Sequence, residues 1–263
     1  MKKNNNNNNI TRRRKKSIRL ICDQTPFAIR ESFNQLRTNI MYTPNDSEGS
    51  PVYAITSAEM SVGKSTISAN LALSFANADK KVLLIDADMR RPSQHRIFGY
   101  NRKQAGLSEL IAGVKESDSD VICTPFPNLH LITSGIIPPN PSELLHSRKL
   151  AAYIAKWKTE YDIIFIDLPP VGIVTDPVTI ADHVNGYVLV AMSNRSDARR
   201  INAAIKAIRA TRARIIGIVI NATSLRGDGK NKYGDRGYGY KRGYNYKYGY
   251  NYGYYDHNSS DND

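Results

Sequence analysis

The chain has 263 residues, of which 41% are hydrophobic, a formal charge of +13 and only two cysteines, Cys22 and Cys123. Those totals suit one large α/β domain, or two small ones, and exclude a disulfide-stapled scaffold; the cysteine spacing also excludes a zinc site and fits a reducing cytosol. No apolar run reaches the roughly 18 residues of a membrane span, and no signal peptide is expected.

The charge is uneven. Lys2, Lys3, Arg12, Arg13, Arg14, Lys15, Lys16 and Arg19 occupy the first twenty residues with no acid among them. The stretch "MKKNNNNNNITRRRKK" buries too little apolar surface to offset its ordering entropy, so residues 1–20 are predicted to form a disordered basic arm. Such an arm suits nucleic acid or an anionic inner-membrane surface, where each cation contributes on the order of 1 kcal/mol; a merely solvated end is the plainer alternative.

From Thr25 to Met41, Phe27, Ile29, Phe33, Leu36 and Ile40 recur at helical spacing. With Thr25 before Pro26 as the start signal, this predicts an amphipathic helix. After the loop "NDSEGSP", strands are predicted at "VYAIT", "KVLLIDA", "LHLITS", "DIIFIDL", "GYVLVAM" and "IIGIVIN". Helices are predicted at "KSTISANLALSFANA", "GLSELIAG", "RKLAAYIAKW", "DPVTIADHV" and "SDARRINAAIKAIRAT". This alternation, with strands apolar throughout, predicts an α/β fold, a mainly parallel β-sheet with helices on both faces over residues 21–224, and the "GKST" run at its first strand-to-helix turn makes it P-loop NTPase-type. Residues 225–263 are predicted to be a flexible tail, in which tyrosine recurs at nearly every second position between poor strand formers.

The first strand runs into "SAEMSVGKST" and then a helix, the context a phosphate-binding loop requires. From Ala58 the stretch matches A-x-x-x-x-G-K-S, with alanine where glycine is commoner. Backbone amides across Met60, Ser61, Val62, Gly63, Lys64 and Ser65 are expected to cradle phosphate, aided by the positive end of the helix. Lys64 is expected to bridge the β- and γ-phosphates and Ser65 to bind Mg²⁺, while Thr66 supports the loop or is a plain early-helix residue. Two further apolar strands end in Asp86 and Asp88 ("VLLIDADMRRP") and in Asp167 ("DIIFIDLPP"). Ligands of open parallel sheets bind beyond the strands' carboxyl ends, so the three aspartates are expected to meet Mg²⁺ and the γ-phosphate, with Asp167 holding the metal. Of Asp86 and Asp88, one would orient Mg²⁺ and the other accept the proton of the incoming hydroxyl; the residues do not say which.

With these residues the sequence resembles the bacterial tyrosine kinases that govern capsule and exopolysaccharide chain length. The likeness runs over about residues 25 to 222, through "ESFNQLRTNI", "SAEMSVGKSTISANLA", "VLLIDADMRRP", "GLSELIAG", "SGIIPPNPSELL", "YDIIFIDLPPV", "VTDP" and "GIVIN". It implies ATP and Mg²⁺ as cofactors, Asp86 and Asp88 serving Mg²⁺ and the tyrosine hydroxyl, Asp167 as the Walker B residue, and Asn221 near adenine. It also implies a subunit-contact helix carrying Glu31 and Arg37, with Asn34 where an arginine is usual, and a ring-shaped homo-oligomer. Tyr238, Tyr240, Tyr244, Tyr246, Tyr248, Tyr250, Tyr252, Tyr254 and Tyr255 would be the autophosphorylated cluster. The family's Gram-positive arrangement implies a transmembrane adaptor of the polysaccharide co-polymerase type, a cognate tyrosine phosphatase, and a cytoplasmic chain held at the inner face of the membrane.

Two other readings compete with this autokinase. One is a switch ATPase related to septum-placement and partition ATPases; those carry a second lysine early in the loop, where Glu59 stands here. The other is a single-strand nucleic-acid binder, using basic residues among aromatics. The tail's near-balance of basic and acidic residues argues against that, and no nucleic acid is expected.

Overall fold

The computed structural model describes residues 20–223 apart from 46, 47, 103 and 212. The basic arm and all nine tail tyrosines named above therefore lie outside the described residues.

Helix α1 (Phe27–Met41) precedes β1 (Val52–Ser57), α2 (Lys64–Ala76), β2 (Val82–Asp86), α3 (Gln94–Ile97) and α4 (Leu107–Ala112). Then come β3 (Ile122–Phe126), β4 (Leu129–Ile132), α5 (Pro141–Leu145), α6 (Arg148–Glu160), β5 (Ile163–Asp167), α7 (Asp176–Thr179), β6 (Gly186–Met192), α8 (Ala198–Ala210) and β7 (Ile215–Asn221). The seven strands form one sheet in the order β3-β4-β2-β5-β1-β6-β7, parallel throughout except for the antiparallel β3–β4 pair. Strands β1, β2 and β5 are buried at every residue, as continuous apolar runs covered on both faces must be. Two cores result. One, around Trp157, Tyr187 and Ile85, lies under α4, α6 and α8; the other, around Phe75, Phe165 and Tyr53, lies under α2.

Helix α2 buries 11 of its 13 residues, because α1 covers its outer side with Phe33, Leu36 and Ile40. Arg37 fixes that contact by donating to the Ser74 carbonyl at 2.7 Å and its hydroxyl at 3.0 Å.

Beyond the short helices α3 and α5, which were not among the predicted ones, the structure departs from the sequence reading in three places. Thr25 does not cap α1: Pro26 occupies the cap position, and the Thr25 hydroxyl instead accepts the Cys22 N–H at 2.9 Å, closing a turn one residue too early to reach the helix. Strand β3 was not expected, since Pro125 cannot donate to a ladder. It is tolerated because β3 is an edge strand, and its pairing is irregular between Cys123 and Phe126. "DPVTIADHV" forms the short α7 and then a separate 3₁₀ turn at Ala181–His183 rather than one helix.

Gly106 lies so close to the β4–α5 connection that a Cβ there would strike the Thr133 carbonyl and the Gly135 nitrogen, whereas a Cβ on Gly217 would meet nothing. Gly106→Ala is therefore expected to cost about 2–3 kcal/mol, or roughly 5 °C or more in thermal midpoint. Gly217→Ala should stay within about 0.5 kcal/mol of wild type by the same melts.

Candidate active site

The loop from Ala58 to Gly63 is held from outside by its carbonyls. Ser57 Oγ donates to the Glu59 carbonyl at 2.7 Å, Arg195 to that of Ser61 at 3.3 Å, and the Asn221 side-chain amide to that of Val62 at 2.9 Å. Gly63 has φ +88°, and a Cβ there would collide with the Asn221 amide, so glycine is required both by conformation and by space. Asn221, at the end of β7, thus braces the phosphate loop.

The register of β2 against β5 sets Asp86 directly opposite Asp167, so pairing of the sheet itself brings the carboxylates together. Lys64, first residue of α2, points into them: Nζ lies 2.6 Å from Asp167 Oδ1 and 3.6 Å from Asp88 Oδ2, with an additional contact to Ser65 Oγ at 3.3 Å. Ser68 donates to the same Asp167 oxygen at 3.2 Å. Asp86 accepts the backbone N–H groups of Ser93 and Gln94 at 3.0 and 2.9 Å, and so anchors the start of α3. Asp86 and Asp167 are inaccessible, while Asp88 lines a cleft of about 590 Å³ together with Gly63, Lys64, Ser65, Thr66 and Arg91.

Burial works against the charge on Lys64, but the carboxylates of Asp167 and Asp88 outweigh it and hold the ammonium above its usual range. Asp86 is pushed up to about 7, first by burial and then by the neighbouring charge of Asp167. One buried ammonium among three carboxylates leaves surplus negative charge, which a divalent cation beside Ser65 and Asp88 would neutralise. The donor set is all oxygen, as Mg²⁺ prefers, and the cleft has the volume of a nucleotide pocket.

Several contacts at the site's margin were not foreseen from the sequence. Gln94 bridges Asp167 and the Ser65 carbonyl. Arg90 grips the fully buried Asp176 with Nε and Nη2 at 2.8 and 2.9 Å, and Ser142 donates to the same carboxylate at 2.6 Å. Burial would raise the Asp176 carboxyl, but the Arg90 and Ser142 hydrogen bonds lower it. This hub gathers "DADMRRP", "PPNPSELL" and "VTDP", motifs visible in the sequence whose meeting no local spacing could reveal. Of the expected subunit-contact residues, Arg37 is engaged with Ser74 in the same chain, and exposed Glu31 accepts from Asn34 at 3.2 Å. Glu59 pairs with Arg200 at 3.1 Å.

A parallel sheet carrying a braced GKS loop and facing aspartates defines a P-loop NTPase, and residues 50–235 match the ParA family, described as "NUBPL iron-transfer P-loop NTPase". The sequence is 36% identical to the putative tyrosine-protein kinase CapB of Staphylococcus aureus, over 76% of this chain and 86% of that one. It is also 36% identical to the tyrosine-protein kinase CpsD of Streptococcus agalactiae, over 81% and 90%. It spans only 29% of the longer tyrosine-protein kinase wzc of Salmonella typhi.

Among solved structures, the kinase domain of Escherichia coli tyrosine kinase ETK superposes with a TM-score of 0.71 at 29% identity, covering 84% of this chain and 89% of that one. The chimerical protein CapA2B2 gives 0.68 at 37%, covering 75% and 85%. The septum-site protein MinD from Pyrococcus horikoshii, at 23% identity and 0.56 over 65% and 70%, shares the fold alone. The chain belongs to the bacterial tyrosine kinases of capsule and exopolysaccharide synthesis, a branch of the P-loop NTPases.

Two measurements test the site's electrostatics. With its carboxyl near 7 when folded and near 4 when unfolded, Asp86 contributes stability that is full below about pH 4 and lost as pH rises through about 7. Asp86→Asn should therefore gain roughly 1–3 kcal/mol over wild type between about pH 5 and about pH 8 in urea melts of the ligand-free protein. Asp176→Ala and Arg90→Ala should each cost about 2 kcal/mol, and the double variant less than their sum, because the two share one buried pair.

Proposed function

We propose that this kinase uses ATP and Mg²⁺ to phosphorylate tyrosines of its own tail, Tyr238 to Tyr255, presented in trans by a neighbouring subunit. The observation that carries this reading is the buried Lys64, set between Asp167 and Asp88 at the mouth of the cleft. In this reading the amides from Met60 to Thr66 bind phosphate, and Lys64 leaves Asp167 to neutralise the β- and γ-oxygens. Ser65, Asp86, Asp88 and Asp167 would hold Mg²⁺, which supplies charge neutralisation on the transferring phosphoryl group. Of Asp86 and Asp88, one would orient Mg²⁺ and the other accept the proton of the incoming phenol, and Asn221 would border the adenine. Phosphoryl transfer breaks the γ-phosphate's bond to ADP and forms one to the tyrosine oxygen.

Activation is assigned to the cytosolic end of a transmembrane adaptor of the polysaccharide co-polymerase type, reversal to a tyrosine phosphatase, and assembly to a homo-oligomeric ring touching through Glu31 and Arg37. The chain would then work in the cytoplasm against the inner face of the membrane. Among the described residues no helix is long and apolar enough to cross it. The competing switch-ATPase reading needs a cation at position 59, but Glu59 is an anion already paired with Arg200.

Incubation with ATP and Mg²⁺, with and without the adaptor's cytosolic segment, followed by phosphate mapping by mass spectrometry, should show labelled tail tyrosines. Lys64→Met should abolish the labelling. An activated wild type that hydrolyses ATP yet leaves every tail tyrosine unmodified would overturn the autokinase reading.

A further inference from the structure

Gln94 lies two residues after the end of the "DADMRRP" motif, and its side chain is completely buried. Its Nε2 donates to Asp167 Oδ2 at 2.8 Å and to the Ser65 carbonyl at 3.1 Å. Both partners are acceptors only, so the amide's orientation is fixed: reversed, it would set oxygen against two oxygens. Through its backbone N–H the same residue holds Asp86 at 2.9 Å. One glutamine therefore ties the start of α2, the end of β5 and the end of β2 together.

Its Oε1 is buried without a partner, as is the neighbouring Ser93 hydroxyl. An apolar side chain of similar shape would fill this space without leaving an acceptor unsatisfied, so the amide is retained at a cost. The two oxygens of Asp167 are held differently. Oδ1 takes Lys64 and Ser68, whereas Oδ2 takes Gln94. If Lys64 moves to phosphate, Oδ1 loses its charged partner, and Gln94 still fixes the plane of the carboxylate.

We propose that Gln94 is a positioning residue for metal binding: it keeps Asp167 oriented toward Mg²⁺ while Lys64 changes partners, and its free Oε1 offers an acceptor to water accompanying the metal. The proposal rests on the reading of Asp167 as a metal-holding residue. Partners one shell outside a metal typically change its affinity by 10- to 100-fold when removed.

The test is binding of a fluorescent ADP to the full chain, titrated with Mg²⁺ and repeated in EDTA. Gln94→Met, which keeps the shape and removes the donor, should raise the Mg²⁺ concentration for half-saturation by about 10-fold or more. Its affinity for the nucleotide in EDTA should stay within about 2-fold of wild type, because the loop from Ala58 to Gly63 keeps its braces from Ser57, Arg195 and Asn221 when the bond to the Ser65 carbonyl is lost. Gln94→His, which restores an N–H donor, should recover most of the Mg²⁺ response. An unchanged half-saturation in Gln94→Met, or equal loss of affinity with and without Mg²⁺, would overturn the proposal, the second by showing a merely structural role. Should Gln94→Met not fold, a His variant that loses Mg²⁺ response as much as 10-fold would do the same. A wild-type protein whose nucleotide affinity ignores Mg²⁺ would overturn the Asp167 reading itself, and this proposal with it.

Discussion

Lys64 and Asp167 meet at 2.6 Å where the carboxylate is sealed from solvent and the ammonium is nearly so. Charges so buried are tolerated only when each is matched and every remaining lone pair is bonded, and the surrounding architecture supplies those matches. The register of β2 on β5 supplies Asp86, the short α3 supplies Gln94, and α2 supplies Ser68 one turn after the lysine. The ion pair is also a held reserve. On the proposed phosphate role of Lys64, Asp167 occupies the cation that phosphates would need, and binding would substitute one anion for another around the same ammonium. That exchange would avoid stripping a free lysine of water at the moment of binding.

Much of this was legible in the residues. The phosphate loop could be read because glycine, lysine and serine have position-specific roles there, and the central strands because burial on both faces leaves continuous apolar runs. Convergence of Asp86 and Asp167 followed from the rule for open sheets, and the register shows why it holds. Strand β3 escaped notice because Pro125 argues against a strand everywhere except at an edge, and a residue's place in the sheet is not a local property. Thr25 misled for the opposite reason. It is the right residue type, one position from where a cap must stand.

The hub of Arg90, Ser142 and Asp176 marks a different limit. Each residue lies in a run that looked distinctive, yet the proline-rich "PPNPSELL" had no visible purpose until α5 was seen to deliver Ser142 to a buried carboxylate. The double hydrogen bond of Arg90 to Asp176 makes it a support for the segment after β2 that bears Asp88. Gln94 had no signal beyond its nearness to the aspartates. Long-range polar satisfaction is decided by tertiary placement, which composition and periodicity do not encode.

Asn221 gives the molecule one more property. The residue that braces the phosphate loop is the last of β7, the edge strand of the sheet, so the loop's geometry rests on the pairing of that edge. Fraying of the last β6–β7 pair, Met192 with Asn221, would withdraw that amide from the Val62 carbonyl. The cradle is thereby only as rigid as the outermost rung of the sheet's ladder.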